Sequence, residues 1–197
     1  IITPLVVPWI VLRYGWQWAF YSVGAVGLLW LVLWLVINRK PPLTPSASEP
    51  PVSWTSLLNC RATWAIMVAR FLTDPVWWFY LYWTPKFLHE KHGLSIGEIG
   101  APLVVIYLSA DVGSVFGGWL SSQLLRRGWS ANAARKTAIL VAACLVAPMA
   151  LAPRVDSVWG VVTILSLATA GHQAWAANMF SILADLYPPR ATSTITG

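Results

Sequence analysis

The feature that most constrains this chain is its succession of apolar runs, several of them close to the length of a membrane span. The run at residues 18–37 contains no charged residue. A transmembrane helix needs about 20 consecutive apolar residues to cross the hydrocarbon core of a bilayer. These runs therefore predict an all-α integral membrane protein.

Five membrane spans are predicted from the positions of these runs. They cover residues 18–37, 62–84, 99–125, 137–152 and 158–183. The apolar segment at residues 1–12 is too short to cross a bilayer, so we expect it to be the end of a helix that begins upstream. Because the chain starts without Met and stops at Gly197 as a new segment begins, we expect a fragment.

The composition argues against several other classes of protein. Charged residues make up only 10% of the chain, whereas a soluble domain carries about 25%. The net charge of +6 sits in short clusters between apolar runs, which favours membrane topology over nucleic-acid binding. No metal-ligand, cofactor or catalytic motif is recognisable, so we predict no metal, no cofactor and no enzyme.

The longest polar connection, residues 38–59, is rich in proline and predicts an exposed linker. Lys and Arg are in excess in the loops after the second, fourth and sixth apolar runs, and are sparse or offset by acids in the others. Cytoplasmic loops of membrane proteins carry this excess. The linker is therefore predicted to be cytoplasmic, together with the loop that contains Arg126, Arg127, Arg135 and Lys136.

The span at residues 62–84 contains two charges that a membrane tolerates only at a cost. Arg70 and Asp74 are four residues apart and share one helix face. They either neutralise each other or belong to a polar cavity, and the sequence supports both interpretations. Pro75 follows Asp74 and predicts a break in the helix. Trp78 and Tyr82 extend the stripe from Asp74, as a packing surface or a binding surface.

The span at residues 99–125 contains small residues at spacings typical of close helix contact. Gly113 and Gly117 are four apart, and Gly118 follows. Asp111 lies just before them and is predicted to accept a hydrogen bond in packing or gating. We also consider Arg126 and Arg127, at the end of this span, candidates for gating or packing.

The last span contains a group of strong hydrogen-bonding residues among small ones. His172, Gln173 and Asn178 are expected to face the protein or a wet cavity. An amide both donates and accepts, so Gln173 and Asn178 suit a hydroxylated solute. His172 is a packing residue or a further contact.

Together, the order of spans and several motifs resemble the major facilitator superfamily, its anion:cation symporter branch and, within that, the hexuronate (glucuronate/galacturonate) transporter group. The resemblance covers about helices five to ten. The motifs are Gly15-Trp16-x-x-Ala19-Phe20, Phe71-Leu72-Thr73-Asp74-Pro75-Val76-Trp77-Trp78, Trp83-Thr84-Pro85-Lys86-Phe87-Leu88, Ala110-Asp111-x-Gly113-x-x-x-Gly117-Gly118, Arg135-Lys136 and Gly171-His172-Gln173.

The resemblance implies two six-helix bundles that enclose a substrate site near the middle of the membrane. Residues 1–37 would end the first bundle (the tail of helix five and helix six). Residues 38–59 would be the linker, and residues 60–197 would form helices seven to ten and the start of eleven. One departure is Ser122, which stands four residues after Gly118 where the superfamily motif has an acid; Asp111 is a candidate to replace that acid.

The function implied is proton-coupled symport of a sugar acid across a bacterial inner membrane by alternating access. The partners would be a small organic anion, protons and the lipid bilayer, with a monomer as the functional unit. In this branch, an Arg in helix one binds the substrate carboxylate, and acids in helices one and four couple transport to protons. These residues would lie outside this chain. The alternatives are an aldarate, an aldonate or another organic anion as solute, and a membrane sensor or enzyme on the same fold.

Overall fold

A computed structural model describes residues 3–38 and 54–187. Most of the predicted linker, the start of the predicted helix eleven and Arg190 lie outside these ranges. The chain divides into two compact units at residues 51 and 52. Every regular element in the described ranges is helical, which confirms the all-α fold class.

The first unit contains two helices, α1 (Thr3–Tyr14) and α2 (Trp16–Ile37), joined at Gly15. Gly15 has φ +93°, a backbone conformation that residues with a side chain rarely adopt. The side chains of α2 are apolar on all sides and almost all exposed within the unit, with Ala19 the buried exception. A helix that is apolar all round belongs in a larger apolar core or in lipid.

The second unit consists of one short helix, four long ones and a 3₁₀ segment. These are α3 (Trp54–Leu58), α4 (Arg61–His92), α5 (Gly100–Arg126), α6 (Ala131–Val146), the 3₁₀ segment Ala147–Arg154 and α7 (Val158–Leu186). The helix α3 falls inside the predicted linker at residues 38–59. The last part of the predicted linker thus forms a short helix and not an extended loop. Its residue Leu57 is buried, which favours ordered structure at this point.

The predicted break at Pro75 is wrong, because α4 continues through both Pro75 and Pro85 for 32 residues. Proline removes one backbone donor, but membrane helices tolerate it when nearby Ser or Thr hydroxyls and packed neighbours satisfy the freed carbonyls. Pro75 leaves the carbonyl of Phe71, four residues earlier, without its helical N–H donor, and the Thr73 hydroxyl makes a separate bond nearby, to the Ala69 carbonyl at 2.6 Å.

The helices α2, α5 and α7 begin and end within three residues of the predicted boundaries, whereas α4 ends eight residues after 84 and α6 begins six residues before 137. Local capping groups set several of these ends. The hydroxyls of Ser130 and Ser157 accept hydrogen bonds from backbone N–H groups in the first turns of α6 and α7. At the other end of α4, Gly93 adopts φ +68° and its N–H bonds to the last carbonyls. The predicted span 137–152 corresponds to α6 and the 3₁₀ segment that follows.

Three helical stretches in the described ranges are long and apolar enough to cross a membrane: Trp16–Ile37, Gly100–Arg126 and Ala131–Arg154. The other two predicted spans correspond to α4 and α7, which are long enough at 32 and 29 residues. Both contain the polar side chains on which the candidate site depends. These polar side chains lower the mean hydropathy of α4 and α7. That these two helices cross the membrane therefore stays a prediction from the sequence.

The helix α7 lies at the centre of the second unit and packs along α5 and α6. One core cluster is centred on Ile106 of α5 with Val161 and Leu165 of α7, and Tyr80 of α4 completes it. A smaller cluster brings Ile66 of α4 against Met179 and Leu183 of α7. The helix α4 is thus joined to the others by contacts spaced along its length.

Candidate functional site

The charged pair of α4 is intact but only partly buried. The Nε of Arg70 donates to Oδ2 of Asp74 at 3.3 Å, and 30% and 45% of the two side chains remain exposed. The Arg70 guanidinium also lies 4.6 Å from the centre of the Phe180 ring on α7. This cation–π contact gives Arg70 a second partner, so the cation is held even when Asp74 bonds elsewhere.

An aromatic platform continues the face of Asp74 along α4. The rings of Trp78 and Tyr82 stack with centroids 6.0 Å apart and an angle of 16° between their planes. Their residues are 55% and 70% exposed. A carboxylate beside exposed ring faces provides a hydrogen-bond acceptor next to a flat apolar surface. That combination matches a sugar, which presents hydroxyls at its edges and C–H groups on its faces.

His172 connects α7 to this part of α4. Its Nε2 lies 3.0 Å from the carbonyl oxygen of Thr73, the residue before Asp74. Its ring stacks on Trp77 at 5.8 Å, meets Tyr80 edge-on at 6.2 Å and lies tilted by 47° against Trp175 at 6.0 Å. The backbone bond places Asp74 and Gln173, each one residue further along, at the same level of the α4–α7 contact.

The two amides of α7 have different surroundings. Gln173 is half-buried, and its carboxamide makes no hydrogen bond to any residue that the structure describes. Asn178 is fully buried, and its Nδ2 donates to the carbonyls of Gly117 at 3.0 Å and Ala174 at 2.9 Å. A solute could reach Asn178 only if α5 and α7 separated, so the geometry gives Asn178 a packing position.

The contact between α5 and α7 leaves no room for side chains at two glycines. A methyl group on Gly113 would lie 2.2 Å from the Ala170 carbonyl oxygen, and one on Gly117 would lie 2.6 Å from the Ala174 Cα. Gly118 faces open space instead. The small-residue stripe thus serves the helix contact at Gly113 and Gly117, where the backbones approach directly.

Asp111, Arg126 and Arg127 are exposed on α5 and at its end. None of the three forms an ion pair or hydrogen bond within residues 3–38 and 54–187 through its side chain. Asp111 lies 11 residues before Ser122, about 16 Å along the helix at 1.5 Å per residue. That distance argues against Asp111 replacing the acid expected at position 122.

An ion-pair network that was not predicted from the sequence joins the ends of α5, α6 and α7. The Nε of Arg135 donates to Oδ2 of Asp185 at 3.0 Å, and its Nη1 donates to the Ser121 hydroxyl at 2.7 Å. The Arg135 side chain is only 13% exposed. An arginine held by two groups fixes their relative positions through its planar fork. The motif Arg135-Lys136 was visible in the sequence, but its partner 50 residues away was not.

A second cluster that the sequence did not predict joins the same ends of α4 and α7. The Tyr187 hydroxyl lies 2.7 Å from Oγ1 of Thr63 and 3.7 Å from Sγ of Cys60. Its hydrogen bond, with backbone N–H groups of Ala62 and Thr63, lowers the pKa of the Cys60 thiol. Burial raises the pKa of Tyr187, and Cys60 raises it further, whereas the bond to Thr63 lowers it.

A cavity of about 240 Å³ lies at the opposite end of α4. Its lining is mainly apolar and aromatic, and Lys86 and Glu90 are its charged residues. Small-molecule sites in proteins usually measure about 300–1,000 Å³ and contain several polar groups. The cavity therefore fits a polyhydroxylated solute less well than the face of Asp74, Trp78 and Tyr82 does.

Comparison with known proteins gives the chain its relatives. The profile described as Major Facilitator Superfamily matches residues 1–197. A D-galactonate transporter from Escherichia coli O6:H1 is 24% identical over 96% of the chain and 50% of its own length. The hexuronate transporter of Escherichia coli K12 is 24% identical over 100% of the chain and 50% of its own length. A probable galactarate/D-glucarate transporter from Bacillus subtilis is 28% identical over 91% of the chain and 45% of its own length. The chain thus spans about half the length of the curated relatives it matches.

Proposed function

Because this chain belongs to the Major Facilitator Superfamily, we propose that the protein containing it imports a sugar acid across a bacterial inner membrane. One observation carries the proposal: relatives that match nearly the whole chain are named transporters of galactonate, hexuronate and galactarate or glucarate. These solutes are all six-carbon acids with several hydroxyls. A hexuronate is the leading substrate, and an aldonate or aldarate is the alternative.

The residues of this chain that we assign to the substrate are Asp74, Trp78 and Tyr82 of α4 and Gln173 of α7. Asp74 would accept hydrogen bonds from hydroxyls, and the free carboxamide of Gln173 would both donate and accept. The stacked rings of Trp78 and Tyr82 would contact the C–H face of the sugar. Because Asp74 repels an anion, the substrate carboxylate would point away from α4.

Transport would proceed by alternating access, as two bundles rock around a site between them. The tight contact between α5 and α7 supports movement of those helices as one body. We propose coupling to protons, which the acids of helices one and four would perform in the part of the protein that this chain does not include. Residues 38–59 would lie in the cytoplasm.

Uptake by the complete gene product in proteoliposomes tests the proposal. Radiolabelled glucuronate, galacturonate, galactonate and glucarate should be tried in turn under an imposed inward proton gradient. We expect uptake of at least one acid above empty liposomes, and its collapse on addition of a protonophore. No uptake of any of the four would contradict transport of a sugar acid and favour the sensor or enzyme alternative. Uptake that survives the protonophore would contradict proton coupling but not transport of a sugar acid.

Two matched tryptophan variants test the assigned face. Trp78 of α4 and Trp119 of α5 are almost equally exposed, at 55% and 54%. We expect Trp78→Ala to raise the KM for the transported acid by about fivefold, since one ring–ligand contact is worth roughly 1 kcal/mol. Trp119→Ala should leave the KM unchanged. Equal effects of the two substitutions would contradict the assignment.

A further inference from the structure

The two ring nitrogens of His172 differ: Nε2 makes a hydrogen bond, and Nδ1 has no hydrogen-bond partner among the described residues. A carbonyl oxygen can only accept, so the bond to Thr73 requires the proton on Nε2. In the neutral ring Nδ1 is then an acceptor with a free lone pair. His172 is only 8% exposed, and Nδ1 is buried without a hydrogen-bond partner among the described residues. An unsatisfied buried acceptor costs free energy, which a donor would recover.

The surroundings of His172 hold this acceptor in a fixed direction. Trp77 covers one face of the ring at 5.8 Å with an angle of 19° between the planes, while Tyr80 and Trp175 meet it at steeper angles. Trp77 and Trp175 are themselves only half-buried. Access of a solute to Nδ1 would require one of these indoles to rotate about its side-chain bonds.

The position of His172 matches the site assigned above. Through Thr73 it lies at the level of Asp74, and it directly precedes Gln173. None of the other residues packed around its ring donates to Nδ1 in the described structure: Trp77 and Trp175 present ring faces and edges, and Tyr80 meets the ring by its edge. The donor to Nδ1 is thus a group outside the described residues, and a solute that enters the site is one such group.

We propose that Nδ1 of His172 accepts a hydrogen bond from one hydroxyl group of the transported sugar acid and so selects for that hydroxyl. The inference rests on the proposed function and adds to it an atom and the substrate group it recognises. Since the same ring bonds Thr73 through Nε2, the contact also joins substrate to the α4–α7 connection. Water, or a donor from the part of the protein that this chain does not include, would give no selection among hydroxyls.

Two substitutions separate the two nitrogens of the ring. The terminal amide of glutamine reaches the position of Nε2, so His172→Gln keeps a donor for Thr73 and loses the acceptor at Nδ1. The shorter asparagine places its amide near Nδ1, so His172→Asn keeps the acceptor and loses the bond to Thr73. Comparison of the two removes the effect of a general loss of packing.

The test measures uptake by the complete gene product in proteoliposomes with the transported acid and its deoxy analogues, each lacking one hydroxyl. We expect the unmodified protein to disfavour one analogue by about tenfold or more in kcat/KM, because a site built for a hydroxyl is left unpaired without it. His172→Gln should transport that analogue and the parent acid within about twofold of each other. His172→Asn should retain the discrimination and lose thermal stability. Unchanged discrimination in His172→Gln would overturn the inference.

A measurement on the unmodified protein covers the case in which His172→Gln does not fold. In protein with ¹⁵N-labelled histidine, the resonance of the unprotonated Nδ1 should move upfield when the acid is added. It should not move with the analogue that lacks the selected hydroxyl. An equal response to both compounds would overturn the inference. If the unmodified protein transports no sugar acid at all, the proposed function fails first and the inference fails with it.

Discussion

Arg70 and Asp74 form an ion pair that keeps 30% and 45% of its side-chain surface exposed. In a water-filled cavity, an ion pair with this exposure would contribute about 0–1 kcal/mol to stability, because solvent would screen the charges and ordering the side chains costs entropy. The cation–π contact with Phe180 holds Arg70 independently of Asp74. We propose a cavity role for Asp74 over mutual neutralisation, and the choice between them is open to a direct test.

We predict that Asp74→Asn reduces transport strongly and leaves the protein folded. The amide keeps the size of the carboxylate, and in a water-filled cavity the lost ion pair would be worth at most about 1 kcal/mol. Membrane abundance and the melting temperature in detergent measure folding, and uptake of the sugar acid measures function. Low abundance of Asp74→Asn that is restored by adding Arg70→Gln would instead establish a neutralising pair.

The Cys60 thiol gives a prediction about pH. Its pKa is lowered first by the Tyr187 hydroxyl and then by backbone N–H groups, so more of the reactive thiolate is present at a given pH. Tyr187→Phe removes the largest of these effects, and the pKa should rise towards its ordinary value. We expect slower alkylation of Cys60 by a maleimide near neutral pH, with the rate profile moved to higher pH.

The control for this prediction is Tyr107→Phe, which removes a hydroxyl from α5 away from Cys60. It should leave the alkylation profile in place. Rates measured after unfolding in detergent should be equal in all three proteins, because the hydrogen bond is then absent. Identical profiles for Tyr187→Phe and the unmodified folded protein would show that the Tyr187 contact does not act on the thiol.

At the scale of elements, α5 and α7 approach so closely that backbone meets backbone. Gly113 and Gly117 face Ala170 and Ala174 without space for a methyl group, and Asn178 donates across the contact to Gly117. Membrane helices gain no hydrophobic attraction for one another in lipid, so their association depends on such packing and on interhelical hydrogen bonds. The pair should therefore behave as one rigid element.

Neighbouring glycines provide the test of this contact. Gly117→Ala would place its Cβ 2.6 Å from the Ala174 Cα, and we expect a loss of about 1–3 kcal/mol, as for overpacked cores. Gly118→Ala faces open space and should be neutral or stabilising by up to about 1 kcal/mol, since alanine favours helix. Thermal unfolding in detergent measures both. Equal melting temperatures of the two variants would contradict a direct backbone contact between α5 and α7 at Gly117.

At the scale of the whole molecule, the positive loops predict which side of the membrane each helix end occupies. Cys60 follows the predicted cytoplasmic linker, so a membrane-impermeant maleimide should label it in inside-out vesicles and not in right-side-out vesicles. Cys60 should be the single cysteine of the protein in this experiment. Labelling confined to right-side-out vesicles would reverse the topology.

The long-range features show what the sequence could not predict. The start of α7 was predictable because the apolar run begins directly after the cap Ser157, a local signal. The caps Ser130 and Gly93 lie seven and nine residues outside the predicted runs, so hydropathy alone did not give those helix ends. The bond from His172 to Thr73 joins residues 99 apart, and that from Arg135 to Asp185 joins residues 50 apart. Such pairs depend on how the helices pack, and one sequence contains no record of it. The course of α4 through Pro75 was missed because neighbouring groups outweigh the local preference of proline.

The helix α4 is attached to α7 less tightly than α5 is, and this has a consequence for the evolution of new substrate specificities. The helix is joined to α7 by separate side-chain contacts, at Thr63 with Tyr187, at Thr73 with His172 and at Arg70 with Phe180, whereas α5 and α7 share a contact that admits no added atom. Substitutions on the open face of α4 would thus alter the proposed solute-facing surface without disturbing the scaffold. A directed-evolution library for new sugar acids should yield most of its folded members when it randomises Trp78 and Tyr82.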